Sequence, residues 1–318
     1  MVERGIGETR SVLVEDGRIL EARVRLAGVI PAGSAIPARL TDIGINGRNA
    51  VAIDDGRREY LLPHGATGAT EGAAIRIEII RETLPGIEPW KRPLARLTDR
   101  RPHLPPPLDQ PPGGRTLDLP AAVDGLAEVG WDELIEEARS GLVRFAGGEL
   151  RISPTPAMTL IDVDGYLPPE ELAVSGAREA ARAIMRLDIC GSIGVDLPTV
   201  SGKAARQAAA AAIDGTLSQP FERTAVNGFG FVQVVRPRSR ASLVELAQDR
   251  GPFEARALLR RVAFEPAGPK RIVAHPAVIA VLDAHLEWLD ALGRQVGGTI
   301  ELRADAALPI SGGYAENL

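Results

Sequence analysis

Met158-Thr-Leu-Ile-Asp-Val-Asp164 and Ile193-Gly-Val-Asp-Leu197 each set an aspartate at the end of an apolar run of β type. Between them, residues 169–187 read as a helix, so the two runs are strands joined by a helical crossover. A βαβ unit of this kind lays its strands side by side and brings Asp162 and Asp196 to the same edge of the sheet. Open α/β sheets bind ligands beyond the carboxyl ends of their strands. Two carboxylates there can hold Mg²⁺, which takes one or two protein carboxylates and completes its shell with water and substrate phosphate. Strand-end aspartates also cap helices and close turns. Asp164, two positions after Asp162, shares its face on an extended chain. It adds a third carboxylate, orients a nucleophilic water, or begins the Asp164-Gly165 turn.

The alternation continues outward from this unit. A helix is expected over 202–214, a long strand over Thr224–Val235 and a helix near 241–248. The tail offers strand Arg271–Ala274, an amphipathic helix Ala277–Gln295 with Leu282, Leu286, Leu289 and Leu292 at helical spacing, and strand Thr299–Ala304. This is an α/β layer with a mixed sheet. Upstream, Trp131–Ala138 reads as a short helix, and Gly147-Gly148 turns the chain between Leu142–Phe145 and Glu149–Ile152.

The first 99 residues are of another kind. Short strands follow one another: Arg10–Val14 and Ile19–Leu26 around Glu15-Asp-Gly17, then 36–40, 48–53, 59–62 and 74–80. Five or six strands with Gly-rich connections suggest a small β-barrel, which closes on itself to remove its edges. The proline-dense segment 100–114 separates this region from the rest as a linker.

Composition bounds the chemistry. The 318 residues are 45% apolar and 25% charged, ordinary for a soluble globular chain. No apolar run reaches the length of a membrane span, the N-terminal residues lack a secretory core, and the cytoplasm is the expected compartment. The single cysteine, Cys190, excludes an intrachain disulfide and a multi-thiolate zinc site; four scattered histidines show no zinc spacing. Net charge is −5, yet between Ser201 and His275 twelve Lys/Arg face six Asp/Glu, an excess of +6 over a remainder of −11. That asymmetry fits either a localised anion-binding surface or a solvated arginine-rich helix face. Asn227-Gly-Phe-Gly-Phe231 leads to Arg236, Arg238 and Arg240. Arginine at this spacing suits phosphate, and Phe229 or Phe231 is placed to stack on a base, while a bulge in a core strand is the competing account of Gly228 and Gly230.

At these residues the chain resembles the bacterial ribonuclease E/G family of RNA endonucleases. The likeness runs over about Trp131–Leu243 and rests on the order and spacing of Leu142–Ile152, Ala157–Asp164, Ala177–Leu187, Gly194–Asp196 and Phe229–Arg238. It implies an RNase H-like catalytic domain over 115–265 in which Asp162 and Asp196 bind Mg²⁺, with Mn²⁺ as a substitute and no zinc. It also implies an S1-type RNA-binding barrel over 1–99 and a small C-terminal α/β domain over 266–318. The family has asparagine where this chain has Asp164 and a further acidic residue where it has Thr199. Most of the family's 5′-end sensor and the two-cysteine zinc link between its protomers have no counterpart here, so any homo-oligomer forms without that link.

The resemblance implies a metal-dependent endoribonuclease acting on single-stranded RNA, with no membrane partner. Asp162 and Asp196 would hold the metal, Asp164 would position a water, and Lys203, Arg206, Phe229, Arg236, Arg238 and Arg240 would contact RNA. The alternative is an RNA-binding protein of the same descent that no longer cleaves. A hydrolase unrelated to nucleic acid would fit the acidic net charge but leave the arginine run unexplained.

Overall fold

The computed structural model describes residues 1–85, 91–105, 114–117, 119, 121 and 123–318. The chain is mixed α/β, with a closed five-stranded barrel, three open sheets and, among the described residues, seven α-helices.

Strands β1 (Val2–Arg4), β2 (Glu8–Glu15) and β3 (Arg18–Leu26) open the chain. Asp16 and Gly17, both with positive φ, close the β2–β3 hairpin, as Asp-Gly steps do. The barrel follows: β4 (Ala35–Asp42), β5 (Ala50–Ile53), β6 (Glu59–Leu62), β7 (Ala74–Arg81) and β8 (Leu94–Leu97), closed in the order β4-β5-β6-β8-β7. Alternate residues Leu40, Ala52, Tyr60, Leu62, Ile77 and Ile79 fill its interior.

The barrel therefore begins at residue 35 and excludes the first hairpin. The reason is packing. Val12, Ile19 and Ala22 on one face of the hairpin join the large core formed by the second half of the chain, and β3 lies against helix α2, described below. From the barrel the chain leaves beside β4, where His103 bridges Ala35. It returns as β9 (Thr116–Leu117), which pairs parallel with β1 in a sheet ordered β3-β2-β1-β9. The middle of the proline-rich segment, 106–113, lies outside the described residues.

Helix α1 (Trp131–Ser140) leads into the six-stranded sheet. Its strands are β10 (Leu142–Phe145), β11 (Gly148–Pro154), β12 (Thr159–Gly165), β13 (Gly191–Asp196), β14 (Glu222–Arg223) and β15 (Phe231–Arg236), in the order β10-β11-β12-β13-β15-β14. Only β12 and β13 pair in parallel, because only they are joined by a long helix, α2 (Pro169–Arg186). Helix α3 (Lys203–Asp214) follows β13, and α4 (Leu243–Gln248) follows β15. Ser242 and Glu245 form a reciprocal capping box at the start of α4.

One face of this sheet is the core. Val143, Leu150, Ile152, Ile161, Val163, Ile193, Val195, Val232 and Val234 are all buried, and Ala173, Ala177, Ala180, Ala181 and Ile184 of α2 pack in the same cluster. Gly176 admits Val163 so closely that a Cβ would lie 2.4 Å from it. The opposite face carries Arg144, Arg151, Leu160, Asp162, Asp164, Asp196 and Val235, all exposed.

The expected strand Thr224–Val235 is interrupted. Only Phe231–Arg236 is strand, and residues 227–230 form a loop held by the Asn227 side chain. The Asn227-Gly228 step carries the turn chemistry that overrides the apolar pattern. The expected helix Ala277–Gln295 is likewise two helices, α6 (Pro276–Asp283) and α7 (Leu286–Val296). The leucine spacing runs through the break, but His285 leaves helical backbone (φ −130°, ψ 62°) and stacks on Trp288 with ring centroids 4.1 Å apart.

Helix α5 (Arg250–Val262) joins β16 (Lys270–Ala274), α6, α7, β17 (Ile300–Ala304) and β18 (Tyr314–Asn317) around a separate core of Leu258, Leu259, Val262, Ile272, Val278, Leu282 and Leu292. The C-terminal unit thus draws on residues well before 266. Among the described residues no helix is long and apolar enough to cross a membrane.

Candidate active site

Asp162 and Asp196 are direct partners in the parallel β12–β13 ladder. Neighbouring strands lie about 4.8 Å apart and in-register residues point to one face, so the two carboxylates rise side by side from the uncovered face. The register extends outward: Arg151 opposes Asp162, Glu149 opposes Asp164, and Arg144 opposes Glu149. On the other flank Phe231 opposes Asp196. One row therefore reads Arg151, Asp162, Asp196, Phe231, with Arg144, Glu149 and Asp164 in the next.

Neither carboxylate of the pair is tied up as a helix cap or in a salt bridge with a described residue; Asp162 accepts a backbone hydrogen bond from Val163. Arg151 donates to Glu149 at 2.6 Å and stands 3.9 Å from Asp164. Partial burial pushes the Asp162 pKa up, and the charges of Asp164 and Asp196 push it further, with Arg151 opposing.

This raised pKa has a stability consequence. Ionising Asp162 costs more in the folded than in the unfolded chain, so its contribution is most favourable below the ordinary aspartate range and is lost as pH rises through the folded value. Asp162→Asn is accordingly expected to stabilise the metal-free protein at pH 7. Because the site is solvent-screened, the gain should be only about 0.5 kcal/mol. Urea unfolding at pH 7 and pH 3.5 checks this: the variant's advantage should vanish at the lower pH, and an advantage equal at both would contradict it.

The loop that follows Asp196 is firmly built. Arg206 donates to the carbonyls of Val200 and Ser201 at 3.0 and 2.9 Å, bracing the turn into α3, at whose start Lys203 is exposed. The Thr199 hydroxyl donates to the Phe229 carbonyl at 3.0 Å, and Leu197 N–H donates to Gly230 at 3.2 Å. Asn227 Oδ1 accepts from the N–H groups of Phe229 and Phe231 at 2.8 and 3.1 Å. The loop carrying Phe229 is thereby held against Leu197 and Thr199, with 82% of the Phe229 surface in water.

Gly230 makes this approach possible. Its φ is +94°, and a Cβ there would lie 2.1 Å from the Leu197 carbonyl oxygen. Gly230→Ala is expected to cost about 2–3 kcal/mol through backbone strain and the clash. Gly228→Ala, whose Cβ meets open space, is the control that should unfold within a few tenths of a kcal/mol of wild type in the same titration.

The remaining arginines named from sequence lie elsewhere. Arg236 opposes Gly191, at the other end of β13 from Asp196, about 16 Å away at ordinary strand rise. Its Nη1 donates to the Ile189 carbonyl at 3.1 Å. Arg238 pairs with Glu245, and Arg240 with Asp188. These three bind β15 and its exit to the α2–β13 connection and to α4. Asp162, Asp164 and Asp196 thus share one sheet face, Lys203, Arg206 and Phe229 lie on the segments after β13 and before β15, and Arg236, Arg238 and Arg240 lie at the other end of the sheet.

Sequence reading passed over Arg144, Arg151 and Tyr166. Alternation along Leu142–Phe145 and Glu149–Ile152 puts Arg144 and Arg151 opposite the valines and leucine of the core, on the aspartates' face. That signal was legible once the hairpin was paired with β12. Tyr166 follows the end of β12 at Gly165 and is 85% exposed.

Among the described residues no group of three or more His, Cys, Asp or Glu side chains is arranged to hold a metal ion. The pair nevertheless suits Mg²⁺, which needs only one or two carboxylates beside phosphate oxygens. No protein-family model and no curated protein matches this chain.

Proposed function

We propose that the chain is a metal-dependent endoribonuclease that hydrolyses phosphodiester bonds in single-stranded RNA, a short relative of the ribonuclease E/G family. The observation that carries this reading is the in-register Asp162–Asp196 pair on an uncovered sheet face. On this reading the six-stranded sheet is the RNase H-like catalytic layer and the barrel β4–β8 is the S1-type RNA-binding module.

Asp162 and Asp196 would hold a Mg²⁺ or Mn²⁺ ion, which when bound polarises a phosphoryl oxygen and lowers the pKa of a water. Asp164 accepts a hydrogen bond from the attacking water and so fixes its direction. Lys203 at the start of α3 and Arg151 and Arg144 along the sheet offset the charge of the flanking phosphates. Phe229 offers a face to a base. Arg206 acts at one remove by holding the loop that carries Lys203.

The proximity of Asp164 favours one second reading, an RNA-binding protein without cleavage, because a third carboxylate repels the scissile phosphate. Incubation of purified protein with an end-labelled unstructured RNA separates the two. Mg²⁺-dependent internal fragments bearing 3′-hydroxyl ends support the nuclease. Binding that weakens steeply with salt, without fragments, supports the second reading.

A further inference from the structure

The open face of the six-stranded sheet carries two cross-strand carboxylate pairs in neighbouring rows. Asp162 stands opposite Asp196 across β12 and β13, and Glu149 stands opposite Asp164 across β11 and β12. The two pairs are not in the same condition. Asp162 and Asp196 are exposed, whereas the Glu149–Asp164 pair already holds a cation. Arg151, the cross-strand partner of Asp162, turns its guanidinium along the sheet toward that second pair. Its Nη2 donates to Glu149 Oε1 at 2.6 Å, and its Nε stands 3.9 Å from Asp164 Oδ2. The same charge opposes the rise of the Asp162 pKa. Four carboxylates against Arg151 and, one strand further out, Arg144 leave the patch net negative, so it attracts cations.

We infer that Arg151 is a positioning residue, the resident counter-ion of the Glu149–Asp164 pair, which keeps both carboxylates from holding a metal and so limits this face to one divalent cation at Asp162 and Asp196. The inference rests on the reading of Asp162 and Asp196 as metal ligands, and deepens it by assigning what regulates the metal load of the site. Two carboxylates are enough for a hydrated divalent ion. Glu149 and Asp164 face one another in the ladder as directly as Asp162 and Asp196 do. What separates the pairs is the guanidinium. Its planar fork makes charge-assisted hydrogen bonds to carboxylate oxygens. A divalent ion at Glu149 and Asp164 would have to displace that fork and then remain close to its positive charge. Arginine keeps its proton throughout the neutral and alkaline range, so this block does not titrate.

The test counts ions. Metal-free full-length protein is titrated with Mn²⁺ at low salt, and free Mn²⁺ is followed by electron paramagnetic resonance. Four proteins are compared: wild type, Arg151→Met, Arg151→Met with Asp164→Asn, and Arg151→Met with Glu149→Gln. The Arg151 and Asp164 side chains are 58% and 66% exposed, so the variants should fold and melt within a few degrees of wild type. Wild type is expected to bind one Mn²⁺ and Arg151→Met a second, weaker one. Either double variant should return to one, because each removes a carboxylate of the pair that Arg151 had filled. One ion in Arg151→Met, two already in wild type, or a second ion that survives in both double variants would overturn the inference while leaving Asp162 and Asp196 as metal ligands. No ion in wild type would instead refute the metal reading, and the inference with it.

Discussion

Asp162→Asn and Asp196→Asn are each expected to lower Mg²⁺-dependent RNA cleavage on the order of a thousandfold or more, with little change in RNA affinity at low salt. The magnitude follows from the several kcal/mol that a metal ion supplies to a phosphoryl transition state. Both effects should be similar in size, because the pair acts as a unit and losing either member loses the site. Glu222→Gln is the control: its carboxylate is exposed on β14, at the far edge of the same sheet, and activity should be unchanged. Asp164→Asn should be milder. It removes one source of the charge repulsion that raises the Asp162 pKa, while an amide still accepts a hydrogen bond from water. Single-turnover cleavage of a labelled RNA reads all four.

The largest effect on stability is expected far from the site. Glu3 is fully buried on β1 and accepts from two arginines: Arg10 at 2.7 Å and Arg260 at 3.0 and 3.2 Å. Arg10 also meets Glu8 at 2.7 Å, Glu8 meets Arg256 at 2.8 Å, and Arg260 pairs with Asp124. This network joins the N-terminal sheet to α5, and so to the C-terminal unit. Glu3→Ala removes the carboxylate shared by two buried guanidinium groups and is expected to cost about 3–5 kcal/mol. A double replacement, Glu3→Met with Arg260→Met, should recover part of that loss, because an apolar pair leaves fewer charges uncompensated. Urea titrations at pH 7 check both; a loss under 1 kcal/mol in Glu3→Ala would show that the network is dispensable.

How far the sequence revealed the molecule differs by region. The βαβ unit was legible because a strand ending in aspartate, an alanine-rich amphipathic helix and a second such strand leave one right-handed arrangement. That arrangement fixes Asp162 beside Asp196. Barrel strands were legible from alternation and Gly turns, but the membership of the first hairpin was not. Its alternation is the same whichever core its apolar face meets, and Val12 and Ile19 meet the other one. Arg236, Arg238 and Arg240 show why spacing alone misplaces a charge. The strand that carries them runs antiparallel to β13, so they emerge at the wrong end of the sheet and find Asp188 and Glu245. Helix α5 was hidden by Gly251-Pro252 at its start, where proline is in fact tolerated in the first turn. Tyr166 carried no signal until its exposure was known.

The account stands on Asp162 and Asp196 sharing one divalent cation. Titration of Mn²⁺ into the metal-free protein, with free Mn²⁺ followed by electron paramagnetic resonance, tests this without relying on activity. Wild type is expected to bind one ion that Mg²⁺ displaces, and both Asp162→Asn and Asp196→Asn should weaken that binding at least about tenfold. Equal binding by all three proteins, or none by any, would contradict it.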